Sequence, residues 1–390
     1  MKRKISNLFV VPIVVCLILG TVLDLTVFQN MPLLGDAYFY HSNTVDLLNP
    51  AVELPFFYYP PGMIFYLAML YRLAGSSLVA CRAGMVLLAA ISTCASMLIA
   101  EKLAVGKSRR VVLLAGLGIA CYPPLVLLSP QPYAQHLTMP FFALAAYCWL
   151  SVVCPAPIAK AGERHNDNQA CSERHSNARG VRLSMATGLF LGIAVLSKPA
   201  TSSIAIVCVI TAVGKMVFSK RFERMMGIGI CAALLASFAL VLPVMLWNQG
   251  SGAGLTISTN NERNFWLGNN PYTPHYKTSH LAMTPLDELP EETRRYLLKF
   301  YNREKMQDDE AWIRKISNLR HARMAEAADY IIANPGVFLL RTLNRARAFW
   351  GFDYLASRQI QQWLGWGIGG LCLLLLFEAG GYVAVMLLAL

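Results

Sequence analysis

The residues suited to chemistry in this sequence lie in a few short segments. In "LLGDAYFYH", Asp36 stands eight residues past an apolar run that ends at Phe28. A carboxylate partly desolvated by Tyr38, Phe39 and Tyr40 at a membrane–water boundary is suited to general-base work. An aspartate there equally suits the N-cap of a short surface helix, and Asp46 and Glu53 share the segment and compete for the role. Arg82, in "VACRAG", opens another apolar run, where a guanidinium either snorkels to headgroups or grips a phosphate. In "AVLSKPATS" a Lys-Pro pair interrupts two apolar runs and leaves the Lys198 ammonium at membrane depth. Ionisable groups there are costly and by default functional, the alternative being an interfacial anchor. His136, in "PYAQHLTMP", is a lone histidine, a type that more often makes structural hydrogen bonds than binds ligands. The stretch "TNNERNFWLGNNP", residues 259–271, sets Arg263, Asn269 and Asn270 beside Phe265 and Trp266. Amides and an arginine bond sugar hydroxyls and an aromatic stacks on a ring face, although the same composition predicts a turn series.

The elements that must position these residues follow from composition. Of 390 residues 56% are hydrophobic and only 14% charged, and mean hydropathy is +0.45. Soluble domains carry roughly a quarter charged residues, so the chain is read as a membrane protein. Its net charge of +12 resides in clusters between apolar runs, at 2–4, 102–110, 160–182 and 215–224. That spacing is what the positive-inside rule produces, and no basic stripe interleaved with aromatics points to nucleic acid. Cys16, Cys94, Cys121, Cys148, Cys208, Cys231 and Cys372 lie inside apolar runs, and residues 247–361 contain no cysteine. Neither a disulfide framework nor a structural zinc is expected.

Apolar runs at 8–28, 79–100, 111–128, 137–154, 183–196, 201–217, 225–246 and 363–377 are long enough to cross, with 183–196 the shortest and glycine-containing. The first lacks a small-residue cleavage site and is expected to remain as a helix with a cytoplasmic N-terminus. "PPGMIFYLAMLYRLAG", residues 60–75, predicts a helix over 62–74 that starts after a proline pair. Such a helix rises about 20 Å, short of the roughly 30 Å hydrocarbon core. Laid flat on the outer surface, it puts all four basic clusters on the cytoplasmic side. The alternative, a hairpin with an outward N-terminus, misplaces only Lys2, Arg3 and Lys4. With the flat helix, the loop 29–78, the turn 129–136, the break 196–202 and the polar region 247–361 converge on one outer face. The expected organisation is a transmembrane module over 1–246, an outward polar region over 247–361 and a transmembrane end over 362–390. The expected fold class is an all-α polytopic helix bundle.

These features together resemble the polyprenyl-phosphate-dependent glycosyltransferases of the C-type membrane fold (GT-C), which include protein O-mannosyltransferases and the lipid A aminoarabinose transferase. The family's aspartate after the first helix is matched by Asp36 in "GDAYFYH". Its proline-containing aromatic motif before an outer-surface helix is matched by "YYPPGMIFYLAMLYRLAG", and the arginine that begins the next helix by Arg82. A G-x-x-x-G-x-x-x-L-[ST]-[KR] break is matched by "GLFLGIAVLSKPA", a "GNNP" segment by residues 268–271, and an A-x-x-Y-I-x-x-N-P helix from Ala327 to Pro335. The match in order covers residues 1 to about 350.

The resemblance implies transfer of a sugar from a polyprenyl-phosphate donor, with inversion, to a hydroxyl of a lipid, polysaccharide or protein acceptor. Asp36 would take the acceptor proton. Lys198, Arg82 and Arg263 would stabilise the leaving phosphate, and Tyr58 and Tyr59 would line the donor site. Some relatives have an acidic residue where this chain has Gln135 or His136, and a Glu-Lys pair where it has Tyr59-Pro60. Both departures leave a divalent metal unassigned. The expected location is a bacterial inner membrane with the active site on the periplasmic side. The rival reading is a flippase or transporter of lipid-linked sugars; transporters place ionisable residues near the midplane and often show paired halves, whereas here the spanning runs are nearly free of charge, the polar groups gather at one face and no halves match.

Overall fold

A computed structural model describes residues 3–29, 31–33, 35–52, 56–103, 109–122, 125–126, 130–153, 166–202, 210, 223–275, 286–298 and 309–349. All regular structure among them is helical: α1 (Arg3–Leu23), continued by a π-helical turn (Asp24–Phe28), α2 (Asp36–Leu48), α3 (Gly62–Ala74), α4 (Leu78–Leu103), α5 (Arg109–Ala120), α6 (Ala134–Val153), α7 (Asn166–Ser197), α8 (Glu223–Gly250), α9 (Asn260–Gly268), α10 (Glu291–Leu298), α11 (Asp309–Ala333) and α12 (Pro335–Phe349). Among the described residues five stretches are long and apolar enough to cross a membrane: Leu8–Phe28, Leu78–Leu103, Ala134–Val153, Ala178–Ser197 and Gly227–Gly250. The chain is therefore an all-helical, multi-pass membrane protein.

Two of the expected runs take a different form. Residues 111–128 do not make one described helix, because α5 ends at Ala120. The Pro123-Pro124 pair supplies no backbone donors and forces its neighbour out of the helical region. The 183–196 run, in contrast, belongs to a 32-residue helix, since the polar residues before it also form helix. The runs at 201–217 and 363–377 lie largely or wholly outside the described residues, as does the segment 362–390.

The chain divides into two compact units, one within Met1–Ser251 and Leu255–Ser258, the other within Gly252–Gly254 and Thr259–Leu390. In the first unit α7 packs against α6 and α8, while α4 packs against α1, α5 and α6. The G-x-x-x-G spacing has a steric cause. A Cβ on Gly188 would collide with the Ala233 backbone, and one on Gly192 would lie 3.0 Å from Leu240 Cδ1 and 3.1 Å from the Ser237 carbonyl. Small residues four apart thus let α7 and α8 approach backbone to backbone.

The short apolar helix α3 has the bounds its sequence predicts. Met63, Ile64, Leu67 and Tyr71 are buried at helical spacing, while Phe65, Met69 and Leu73 stay exposed. The buried face joins a core with Met85 and Leu88 of α4, Leu137 of α6, and Leu191 and Val195 of α7. α3 is thereby fixed to three other helices, and also packs against α2, so the Tyr58–Pro61 segment at its start is held in place.

Candidate functional site

Asp36 is the first residue of α2, one position past the cap that sequence reasoning considered for it. Gly35 holds the cap position with φ 55, a backbone that disfavours any side chain. Asp36 thus stands in the first helical turn, where a negative charge is favoured, and its side chain is exposed. Its aromatic neighbours do not bury it as expected: Tyr38 and Phe39 are 54% and 46% exposed. Helical geometry instead puts Tyr40, four residues on, over the same face, and Tyr40 is buried. Burial, with the charge of Asp36 and neighbouring Tyr59 adding to it, raises the Tyr40 phenol. Burial and then Asp36 likewise raise the phenol of Tyr133, which lies in the 129–136 turn. The carboxylate thus contributes to raising one phenol four residues away and another almost a hundred positions along the sequence. Of its competitors, Asp46 lies near the other end of α2, and Glu53 lies outside the described residues.

Tyr59 joins this group through its ring. It stacks on Phe39 at 5.6 Å, tilts against Tyr40 at 5.4 Å and meets Tyr58 edge-on at 5.0 Å. Three residues on, Gly62 is pressed onto the end of α7. A Cβ there would collide with Ser197 Oγ and lie 2.7 Å from the Ser197 nitrogen. Lys198 follows directly, extended at φ −147 and ψ 96, with its side chain exposed. Its carbonyl accepts from the Thr201 N–H and hydroxyl at 2.9 and 2.7 Å, which turns the chain after the proline. The far end of α8 completes the arrangement. Asn248, fully buried, accepts from the Phe57 N–H at 2.9 Å and donates to the carbonyls of Thr256 and Ile257 at 2.8 and 3.2 Å. Residues of the loop 29–78, the turn 129–136 and the break 196–202 thus all belong to the first unit, where Gly62 of the loop abuts Ser197 of the break. Sequence reasoning missed Asn248 and Tyr133; the amide in "WNQG" closing an apolar run is the only signal for the former.

Arg82 does not present itself to a ligand. It is 3% exposed, lies 3.4 Å from Asp24 Oδ1, and donates to the carbonyls of Gln29 and Met31 at 3.3 and 2.7 Å. The guanidinium ties the end of the first span to the loop that follows, so the expected phosphate grip is replaced by a buried anchor. Asp24, the acid inside the first apolar run, was the signal for this pairing.

In the 129–136 turn, Gln135 is exposed, whereas His136 is buried, its N–H donating to the Tyr133 carbonyl at 3.0 Å. Gln131, which composition does not single out, is 3% exposed.

The amide-rich stretch belongs to the second unit and is used for folding. Trp266 is fully buried, stacks on Tyr296 at 5.7 Å, donates to its hydroxyl at 3.2 Å, and forms a core with Leu267, Leu289, Leu297 and Ala327. Asn269 and Asn270 are buried and donate to the carbonyls of Phe265, Trp266 and Leu267, capping α9. From α12, Arg341 donates to the carbonyls of Asn270 and Thr273, and Arg345 to that of Gly268 at 2.8 Å. Trp266, Asn269 and Asn270, expected at a sugar, are thus used here within the second unit: the indole is buried against Tyr296 and the amide Nδ2 groups bond backbone carbonyls. Arg263, half-buried in α9, is likewise already engaged. The helix after "YIIANP" thus holds the "GNNP" segment through Arg341 and Arg345.

Among the described residues no group of three or more His, Cys, Asp or Glu side chains is arranged to hold a metal. The site offers an exposed carboxylate flanked by phenols, and an exposed ammonium one residue from the α3–α7 contact. Comparison with family models, curated proteins and solved structures finds no match for this chain.

Proposed function

We propose that the protein is a membrane glycosyltransferase that moves a sugar from a polyprenyl-phosphate carrier to an acceptor hydroxyl. The acceptor's proton passes to Asp36, its oxygen bonds to the anomeric carbon, and the bond from that carbon to the phosphate oxygen breaks. The electron pair leaves with the polyprenyl phosphate, whose growing charge the Lys198 ammonium stabilises. Tyr58 and Tyr59 border the donor. Arg82 plays no direct part.

The observation that carries this reading is the meeting of three separate segments in the first unit. The carboxylate at the start of α2 influences Tyr133, Tyr59 packs on Phe39 and Tyr40 of the same helix, and Gly62 abuts the residue before Lys198. A base beside aromatic side chains and an exposed cation at the α3–α7 contact, in a multi-pass membrane protein, suit a lipid-linked sugar whose head is charged and whose tail is apolar.

The test is release of polyprenyl phosphate by detergent-purified protein given polyprenyl-phosphate-linked glucose, mannose or arabinose with an envelope extract as acceptor. Asp36→Asn should lower turnover by about 10²- to 10⁴-fold, the usual contribution of a general base, with unchanged membrane insertion. A fully active Asp36→Asn protein refutes the assignment.

A further inference from the structure

The turn before α6 holds a buried side-chain amide without a hydrogen-bond partner among the described residues. Gln131 is 3% exposed, and neither its Oε1 nor its Nε2 has a hydrogen-bond partner among the described residues. Pro130 and Pro132 on either side are buried too, and neither offers a backbone N–H to the amide. Buried side-chain amides are nearly always paired, and one with donor and acceptor both empty calls for an explanation. Its surroundings supply one. The Tyr133 N–H donates to the Gln131 carbonyl at 2.8 Å, and the Tyr133 phenol is acted on by Asp36. The empty amide therefore stands two residues from a side chain coupled to the proposed base.

Resting on the transfer reading above, we infer that Gln131 is a sugar-reading residue, its Oε1 accepting from one hydroxyl and its Nε2 donating to a neighbouring one. The pairing is chemically selective. An amide presents one acceptor and one donor side by side, which complements two adjacent hydroxyls. A phosphate offers acceptors only and would face Oε1 with another lone pair. A site built to bond hydroxyls discriminates strongly against analogues that lack them, so Gln131 would set which sugar is accepted. The sugar belongs either to the donor or to a glycan acceptor, and kinetics separate the two.

The experiment substitutes Gln131→Met, close in length and shape, with Gln131→Leu as a second variant, in the full-length detergent-purified protein. Two readouts are taken: the melting midpoint without substrate, and kcat/KM with the three lipid-linked sugars and donors lacking one hydroxyl at C2, C3 or C4. Removing an unpaired buried amide is neutral or stabilising, so the expected midpoint is at or above that of the wild type. The expected kcat/KM falls by about 10- to 100-fold, the loss of two neutral hydrogen bonds. The penalty that wild type shows for a particular deoxy donor should vanish in the variants; a loss confined to acceptor KM assigns the same pairing to the acceptor sugar. A midpoint that drops with activity would mean that Gln131 is held by water or protein as a structural group, and would overturn the inference. So would a kcat/KM within about twofold of wild type. An inactive Asp36→Asn beside a fully active Gln131→Met overturns only this inference; a wild type inert on every donor overturns the transfer reading and this one with it.

Discussion

Arg82→Gln should destabilise the protein without a selective effect on donor use. The guanidinium is 3% exposed and its partner Asp24 19%, at 3.4 Å. Removing one member of such a pair leaves a largely buried charge without its counter-ion, typically a loss of about 3–5 kcal/mol. The partial exposure of Asp24 moves the expectation to the lower end, about 3 kcal/mol. The carbonyls of Gln29 and Met31 lose their donor in the same change, so the first span and the loop toward Asp36 separate together. The assay is unfolding in detergent, followed for Arg82→Gln, Asp24→Asn and the double variant. The double variant should be more stable than the sum of the single losses predicts by at least about 1 kcal/mol, the mark of a direct interaction. Additive losses, or an Arg82→Gln protein that unfolds like wild type but has a raised donor KM, would refute the anchor and restore a phosphate-binding role.

Lys198→Ala should raise the apparent KM for the lipid donor by about 10- to 100-fold, as expected for loss of a charged hydrogen bond, and leave the acceptor KM nearly unchanged; steady-state kinetics with each substrate varied in turn decides it, and an equal rise in both would remove Lys198 from the phosphate. The Nδ1 of His41 lies 2.6 Å from the Tyr71 hydroxyl, and burial lowers the histidine's pKa from its ordinary 6.5. The folded state therefore holds its proton less well than the unfolded one, so this contribution to stability is whole above 6.5 and is lost as pH falls below it. Melting midpoints from about pH 7.5 to about pH 5 should fall more for wild type than for His41→Gln; identical slopes would exclude the histidine.

What could be read from the sequence depended on how far away the partner lay. Helix α3 was legible to its ends because Pro60-Pro61 and Gly75 are local signals acting through backbone sterics. The long apolar runs were legible because a span depends on composition alone, whereas the described helix of the 111–128 run stops at Ala120, ahead of a proline pair that hydropathy does not register. Arg82 was misread because its partner Asp24 comes 58 residues earlier, inside a stretch taken as plain membrane helix. The contacts of the "GNNP" segment were hidden for the same kind of reason. Amides beside aromatics suit a glycan, but Arg341, 71 residues downstream of Asn270, claims the backbone there. Asp36, Tyr59 and Lys198 were named from type and setting, yet only tertiary contacts link their segments, and Gln131 emerges only from its burial.

The bond from the Phe57 N–H to Asn248 spans 191 positions, which makes the aromatic strip before α3 late to mature during biosynthesis. At the usual pace of about 5–20 residues per second, ribosomes need about 10–40 s to produce the asparagine after the phenylalanine has emerged. Throughout that interval Tyr58 and Tyr59 lack their clasp, and the insertion machinery or surrounding lipid must shelter them. A nascent chain halted before position 248 would thus carry a nearly full set of spans but an unfinished aromatic wall.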